Sequence, residues 1–192
     1  YMPTNARPHN VEIVPGTAAV GAGWYTVKIQ NCEDVTIKNI EFRGGQKCHC
    51  VYVHAPTRNI VFDSVIVSRT SKYGNGITVT NDLTNMDVNR KITIQNSVID
   101  RGWTVEENNL KDGLTLGGDG ITYMHAVDSG LIRNNLVRNW GHTGIEITAW
   151  LDTVLMFGVK HIKIELNEAT SGNSGYMHAF NLSGFKNKTM YN

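Results

Sequence analysis

The chain has 192 residues, 41% hydrophobic and 18% charged, with a formal net charge of +1. That length suffices for one substantial core, and the balanced charge lacks the basic excess a nucleic-acid binder usually shows. Apolar runs are short and interrupted, far below the roughly 18 to 20 consecutive residues of a membrane span. No basic-then-apolar leader opens the sequence at Tyr1-Met2-Pro3-Thr4, so it reads as a mature form or a fragment without a signal peptide.

Residues 1–26, with Pro3, Pro8, Pro15 and Gly16, read as a lead-in loop or the end of an earlier repeat. From Val27 onward the sequence is built of short period-two stretches, the mark of strands with one face buried. Val27-Lys28-Ile29 leads, Val35-Thr36-Ile37-Lys38-Asn39 follows, and Ile40-Glu41-Phe42 trails directly after the Asn. The same order returns as Val51-Tyr52-Val53, Ile60-Val61-Phe62-Asp63-Ser64 and Val65-Ile66-Val67. It returns again as Ile77-Thr78-Val79, Ile92-Thr93-Ile94-Gln95-Asn96 and Val98-Ile99, then as Ile121-Thr122-Tyr123, Gly130-Leu131-Ile132-Arg133-Asn134 and Leu136-Val137. Ile145-Glu146-Ile147 and Ile162-Lys163-Ile164-Glu165-Leu166 continue the pattern, and Met177-His178-Ala179 begins it once more.

Positions 37, 62, 94, 132 and 164 are separated by 25, 32, 38 and 32 residues, a solenoid spacing with loops of variable length. Three strands per unit, corners at Asn or Gly and almost no amphipathic-helix pattern predict an all-β chain, a parallel β-helix of about five to six coils. It is read as one domain over 1–192, with recognisable coils over 27–181 and a tail or the start of a further coil over 182–192. Asn39, Ser64, Asn96 and Asn134 are the expected corner ladder, since Asn tolerates left-handed torsions and its amide can bond the next copy.

Cys32, Cys48 and Cys50 are odd in number, so at least one thiol is left over. Cys48-His49-Cys50 puts its sulfurs and imidazole on opposite sides of an extended chain, which favours buried or bridged cysteine over a metal site. Asn181-Leu182-Ser183 and Asn187-Lys188-Thr189 are glycosylation sequons.

In strands whose apolar residues face inward, Lys28, Tyr52, Thr78, Thr122, Glu146 and His178 form one outer column, with neighbours about 4.8 Å apart. Glu146 beside His178 is then an acid–base pair. A second column is expected after the trailing strands at Arg43, Arg69, Arg101 and Arg138, two of them followed by Trp103 and Trp140. Arginine grips carboxylates with paired hydrogen bonds and an exposed indole stacks on a sugar ring, so the set reads as a groove for an anionic glycan; the plainer reading is solvated surface. Asp112 and Asp119 flank a Gly-rich loop, with Glu106 and Glu107 shortly before it, and read as catalytic carboxylates or calcium ligands. His54 and His125, at strand ends, are further candidate bases.

The Ile-x-Ile-x-Asn and Gly-Ile-x-Ile repeats resemble the right-handed parallel β-helix proteins of the pectate-lyase-like superfamily. Gly141-His142-Thr143-Gly144 is similar to the Gly-His-Gly element of its polygalacturonases, with a Thr inserted; their paired aspartates and Arg-Ile-Lys element have no counterpart. The resemblance implies a polysaccharide substrate, an extracellular, cell-surface or periplasmic location, and possible further coils or self-association at uncapped ends. The preferred activity is a lyase performing β-elimination on a uronic-acid glycan, with Glu146, His142, His178 and Asp119 as catalytic candidates. Arg43, Arg69, Arg101, Arg138, Trp103, Trp140, Tyr52 and Lys28 are then the substrate-binding set. A glycoside hydrolase pairing Asp119 with Glu146 at about 5 to 9 Å is the first alternative. A non-catalytic adhesin or tailspike-type segment is the second.

Overall fold

The computed structural model describes residues 11–13, 25–43, 49–68, 74–81, 87–101, 118–148, 158–171 and 178–183. Among these there is no helix. The strands in chain order are β1 (Val11–Ile13), β2 (Tyr25–Lys38), β3 (Glu41–Arg43), β4 (His49–Asp63), β5 (Ile66–Ser68), β6 (Ile77–Thr80), β7 (Asn89–Gln95) and β8 (Val98–Asp100). They continue as β9 (Ile121–Met124), β10 (Val127–Arg133), β11 (Leu136–Trp140), β12 (Thr143–Thr148), β13 (Val159–Glu165), β14 (Glu168–Ser171) and β15 (His178–Ser183).

All pairings but one are parallel. The larger sheet runs β13-β10-β7-β4-β6-β9-β12-β15, with β2 on the other side of β4, and the smaller runs β14-β11-β8-β5-β3. Strand β4 is where the larger sheet curls: its first half pairs with β6 and its second half with β7. The exception is β1, which lies antiparallel on β2.

The register follows the repeated apolar positions. Ile37, Phe62, Ile94, Ile132 and Ile164 are successive partners across the larger sheet, and Phe42, Val67, Ile99, Val137 and Ala169 across the smaller. Their side chains meet in one core: Ile60, Phe62, Ile92, Ile94, Ile99, Ile132 and Val137 are all fully buried. Parallel sheets need this cover, because their strands are apolar on the face that meets the neighbouring sheet.

Two rows of left-handed residues turn the chain. Asn39, Ser64, Asn96, Asn134 and Leu166 have φ of 52° to 56°, so the expected corner is formed, with Leu166 taking the last place. The side-chain ladder differs in detail: Asn134 Nδ2 donates to Asn96 Oδ1 at 2.8 Å, but Asn96 Nδ2 donates to Asp63 Oδ1 at 2.9 Å rather than to Ser64. A second ladder, one residue further on, points inward. Asn135 Nδ2 donates to the Ile94 carbonyl and to Asn167 Oδ1, while Ser97 N–H donates to Asn135 Oδ1. The other left-handed row, Asp34, Asn59, Lys91, Ser129 and His161, lies midway along the larger sheet's strands.

Among the described residues Trp140 is the largest fully buried side chain, and its Nε1 donates to the Ile99 carbonyl at 3.0 Å. It is part of the core and not an exposed sugar platform. Left-handed Asn139 (φ 63°) and the register shift between Val137 and Trp140 insert one extra residue, which turns position 140 inward. The indole lies against Gly76 and Gly120: a Cβ on Gly76 would stand 2.9 Å from Trp140 Cζ2, and one on Gly120 2.9 Å from its Nε1. Gly144 lies inside β12, where a Cβ would meet the Ala179 carbonyl oxygen at 2.7 Å, so space rather than a turn requires glycine there.

Cys32 and Cys50 are buried, and the Cys32 thiol donates to the Gln30 carbonyl at 3.1 Å; Cys48 lies outside the described residues. The strands β13, β14 and β15 stand at sheet edges, and Leu166, Phe180 and Leu182 are exposed there. No helix among the described residues is long and apolar enough to cross a membrane.

Candidate functional site

The leading strands align Lys28, Tyr52, Thr78, Thr122, Glu146 and Asn181. Five of the six expected column residues are therefore neighbours, and the sixth is Asn181 in place of His178. His178 pairs with Thr143, three positions short of the column. The larger offset between β12 and β15 is the cause: Met177-His178-Ala179 and Phe180-Asn181-Leu182 carry the same apolar alternation, and the latter is in register with Ile145-Glu146-Ile147. Nor is the column a solvated face, since Thr78, Thr122 and Glu146 are buried.

Three residues earlier in each unit, at or just before the start of these strands, a polar row of His49, Asn75, Asp119 and Thr143 meets this column. Asn75 N–H donates to His49 Nδ1 at 2.9 Å, and Asp119 N–H donates to Asn75 Oδ1 at 2.9 Å. Asn75 Nδ2 donates to Thr122 Oγ1 at 3.0 Å, which in turn donates to Asp119 Oδ2 at 3.3 Å. The Thr143 N–H donates to Asp119 Oδ1 at 3.1 Å, and His142 Nδ1 lies 2.8 Å from the same oxygen. A carboxylate can only accept, so Nδ1 carries the hydrogen and Nε2 is left for another partner.

Asp119, His142 and Glu146 close the site: one ligating atom from each lies within 4.8 Å of the other two. Asp119 is 7% exposed and Glu146 2%, while the His142 side chain is 47% exposed. Burial first, and then the hydrogen bond and charge of Asp119, push the Glu146 carboxyl up to about 8; the His142 charge and the Asn181 amide, 3.3 Å away, pull the other way. Bonding to Asp119 raises the His142 pKa against the effect of its partial burial. Burial lowers that of His49, with the Asp119 charge opposing. The result is a neutral acid beside a hydrogen-bonded carboxylate and a readily protonated imidazole.

Further along, Tyr52 is stacked between His49 and His54, with ring centroids 5.8 and 5.7 Å away. Tyr52 and Lys28 are half-buried. His54 is buried with Nδ1 against the Ala55 carbonyl at 2.9 Å, and burial lowers the His125 pKa. Neither His54 nor His125 joins the cluster. The Thr78 hydroxyl is buried without a hydrogen-bond partner among the described residues.

Among the described residues, Arg43, Arg101 and Arg138 do not form one column. Arg43 is partnered in register with Ser68, Ser68 with Asp100, and Asp100 with Arg138. Arg101 falls one position later, where it is 2% exposed, and Arg138 Nε binds Asp100 Oδ2 at 2.7 Å. The spacings from positions 37, 62, 94 and 132 are 6, 7, 7 and 6 residues, and in a strand a difference of one reverses the face. Arg69, Trp103 and Asp112, with Glu106 and Glu107, lie outside the described residues. Asn181 of the first sequon is occupied with Glu146, so it is not presented as a free surface amide.

No family model, curated protein or solved structure matches the chain.

Proposed function

We propose that the chain is a right-handed parallel β-helix related to the pectate-lyase-like superfamily, and that it hydrolyses a polysaccharide outside the cell with Glu146 and Asp119. The observation that carries this is the juxtaposition of the two carboxyl groups, with oxygens inside 4.8 Å. Retaining glycosidases hold their carboxyl groups about 5 to 5.5 Å apart and inverting ones about 6.5 to 9.5 Å; this pair is tighter than either and nearer the retaining spacing, so it has to part slightly to admit a sugar. Glu146, neutral near pH 7, donates its proton to the glycosidic oxygen as the bond to the leaving sugar breaks. Asp119 takes the anomeric carbon, and Glu146, now a carboxylate, removes a proton from the water that releases the sugar. His142 holds Asp119 in place through Nδ1.

β-Elimination, favoured by the sequence, needs cations against the sugar carboxylate, and the arginine row that was to supply them is not formed among the described residues. The distinguishing experiment offers neutral polymers (xylan, arabinan, β-glucan) and uronate polymers (polygalacturonate, alginate). Reducing ends and the ultraviolet absorbance of unsaturated sugars are both followed. New reducing ends without unsaturated product, retained anomeric configuration, and a loss of about 10²- to 10⁴-fold in Glu146→Gln support hydrolysis. Unsaturated product would establish the lyase instead. No cleavage of any polymer would leave a non-catalytic β-helix surface of the adhesin or tailspike type.

A further inference from the structure

We infer that Asp119, His142 and Glu146 form a site for a borderline divalent cation, zinc or manganese. This goes beyond the hydrolytic reading, on which it does not depend: it assigns a ligand to the same three side chains.

Three features carry it. The ligand set is two carboxylate oxygens and one imidazole nitrogen, the mixture that suits zinc or manganese, whereas calcium prefers oxygens alone. The groups already converge, within 4.8 Å of one another. Ligands on one zinc ion sit about 3 to 3.5 Å apart when each bond is about 2.0 to 2.2 Å, so closure needs side-chain shifts of about 1 Å. His142, half-exposed, has room to make them.

The supporting shell is also built. Thr122 Oγ1 and the Thr143 N–H hold Asp119, and Asn181 Nδ2 holds Glu146. Such outer partners orient metal ligands and fix their geometry. The ligands come from β12 and the residues directly before β9 and β12, which are hydrogen-bonded neighbours, so the frame of the site is sheet. Three protein ligands leave a coordination position open.

The test uses the full chain, stripped with chelator, titrated with zinc, manganese and calcium chlorides near neutral pH. Binding is followed by calorimetry and by thermal melting. The expected result is one zinc per chain, a raised Tm, and affinity at least tenfold weaker in both His142→Gln and Glu146→Gln. His142→Gln alters a half-exposed side chain, so it keeps the comparison open if Glu146→Gln folds poorly. Absence of zinc binding overturns the inference, as does zinc affinity unchanged in His142→Gln, or calcium bound as tightly as zinc. The two readings fail separately: polymer cleavage by chelated protein that takes up no zinc removes the cation site alone, and zinc uptake without cleavage removes hydrolysis alone.

Discussion

Asp119, two residues before β9, lies beside Glu146 of the neighbouring strand β12, and a hydrogen bond between their carboxyl groups helps keep Glu146 protonated well above the ordinary carboxylate range. The folded chain therefore holds a proton that the unfolded chain has released. With a folded value of about 8 against an ordinary 4.5, the contribution of this group to stability is whole below pH 4.5 and is lost as the pH rises to about 8. His142, also raised, acts in the same direction. Melting temperature should fall between about pH 5 and about pH 9, and Glu146→Gln should flatten that fall and be the more stable protein at the upper end. Parallel pH profiles for the two proteins would contradict the assignment.

Trp140→Ala should cost about 3 to 5 kcal/mol, because it empties a core site and strands the Ile99 carbonyl. At this chain length that is a Tm drop on the order of 10 °C, read by circular dichroism. If Trp140 were a sugar platform, the substitution would weaken glycan binding and leave the melt unmoved.

Asn135→Ala and Asn134→Gly should separate the two ladders. Asn135 is buried and makes three side-chain bonds, so its loss should cost about 2 to 4 kcal/mol. Asn134 is exposed at φ 52°, a torsion glycine adopts freely, so its replacement should stay within about 1 kcal/mol. Chemical denaturation of both variants gives the comparison.

Arg138→Ala should change stability by less than about 1 kcal/mol, since the ion pair with Asp100 is partly exposed. Affinity for polygalacturonate, measured by retardation in a substrate gel, should not depend on this residue. A large loss of affinity would restore the arginine groove.

The strand register was legible from position 37 to position 164 because apolar residues at period two recur in every unit and a one-residue slip would expose all of them at once. The same signal could not place Trp140, where left-handed Asn139 breaks the alternation, nor His178, which sits in an alternation with two equally apolar frames. Within the site, Glu146 and His142 were visible as polar residues bordering a well-formed strand, and Asp119 as an acid before Gly120. Asn75, His49 and Asn181 were missed: Asn75 precedes β6, His49 opens β4 and Asn181 lies within β15, and only the pairing of strands distant in sequence brings them to Asp119 and Glu146. A polar residue placed two before an apolar strand in three units, His49, Asn75 and Asp119, was the available clue.

The interval from Ile94 to Ile132 is longer than that from Phe62 to Ile94, yet the strands on both sides meet in the same register. Chain length between strands is thus decoupled from the position of any side chain on them. The molecule behaves as a chassis: intervals of unequal length close onto one register, so the meeting of Asp119 with Glu146 is set by strand pairing and not by the length of chain between strands.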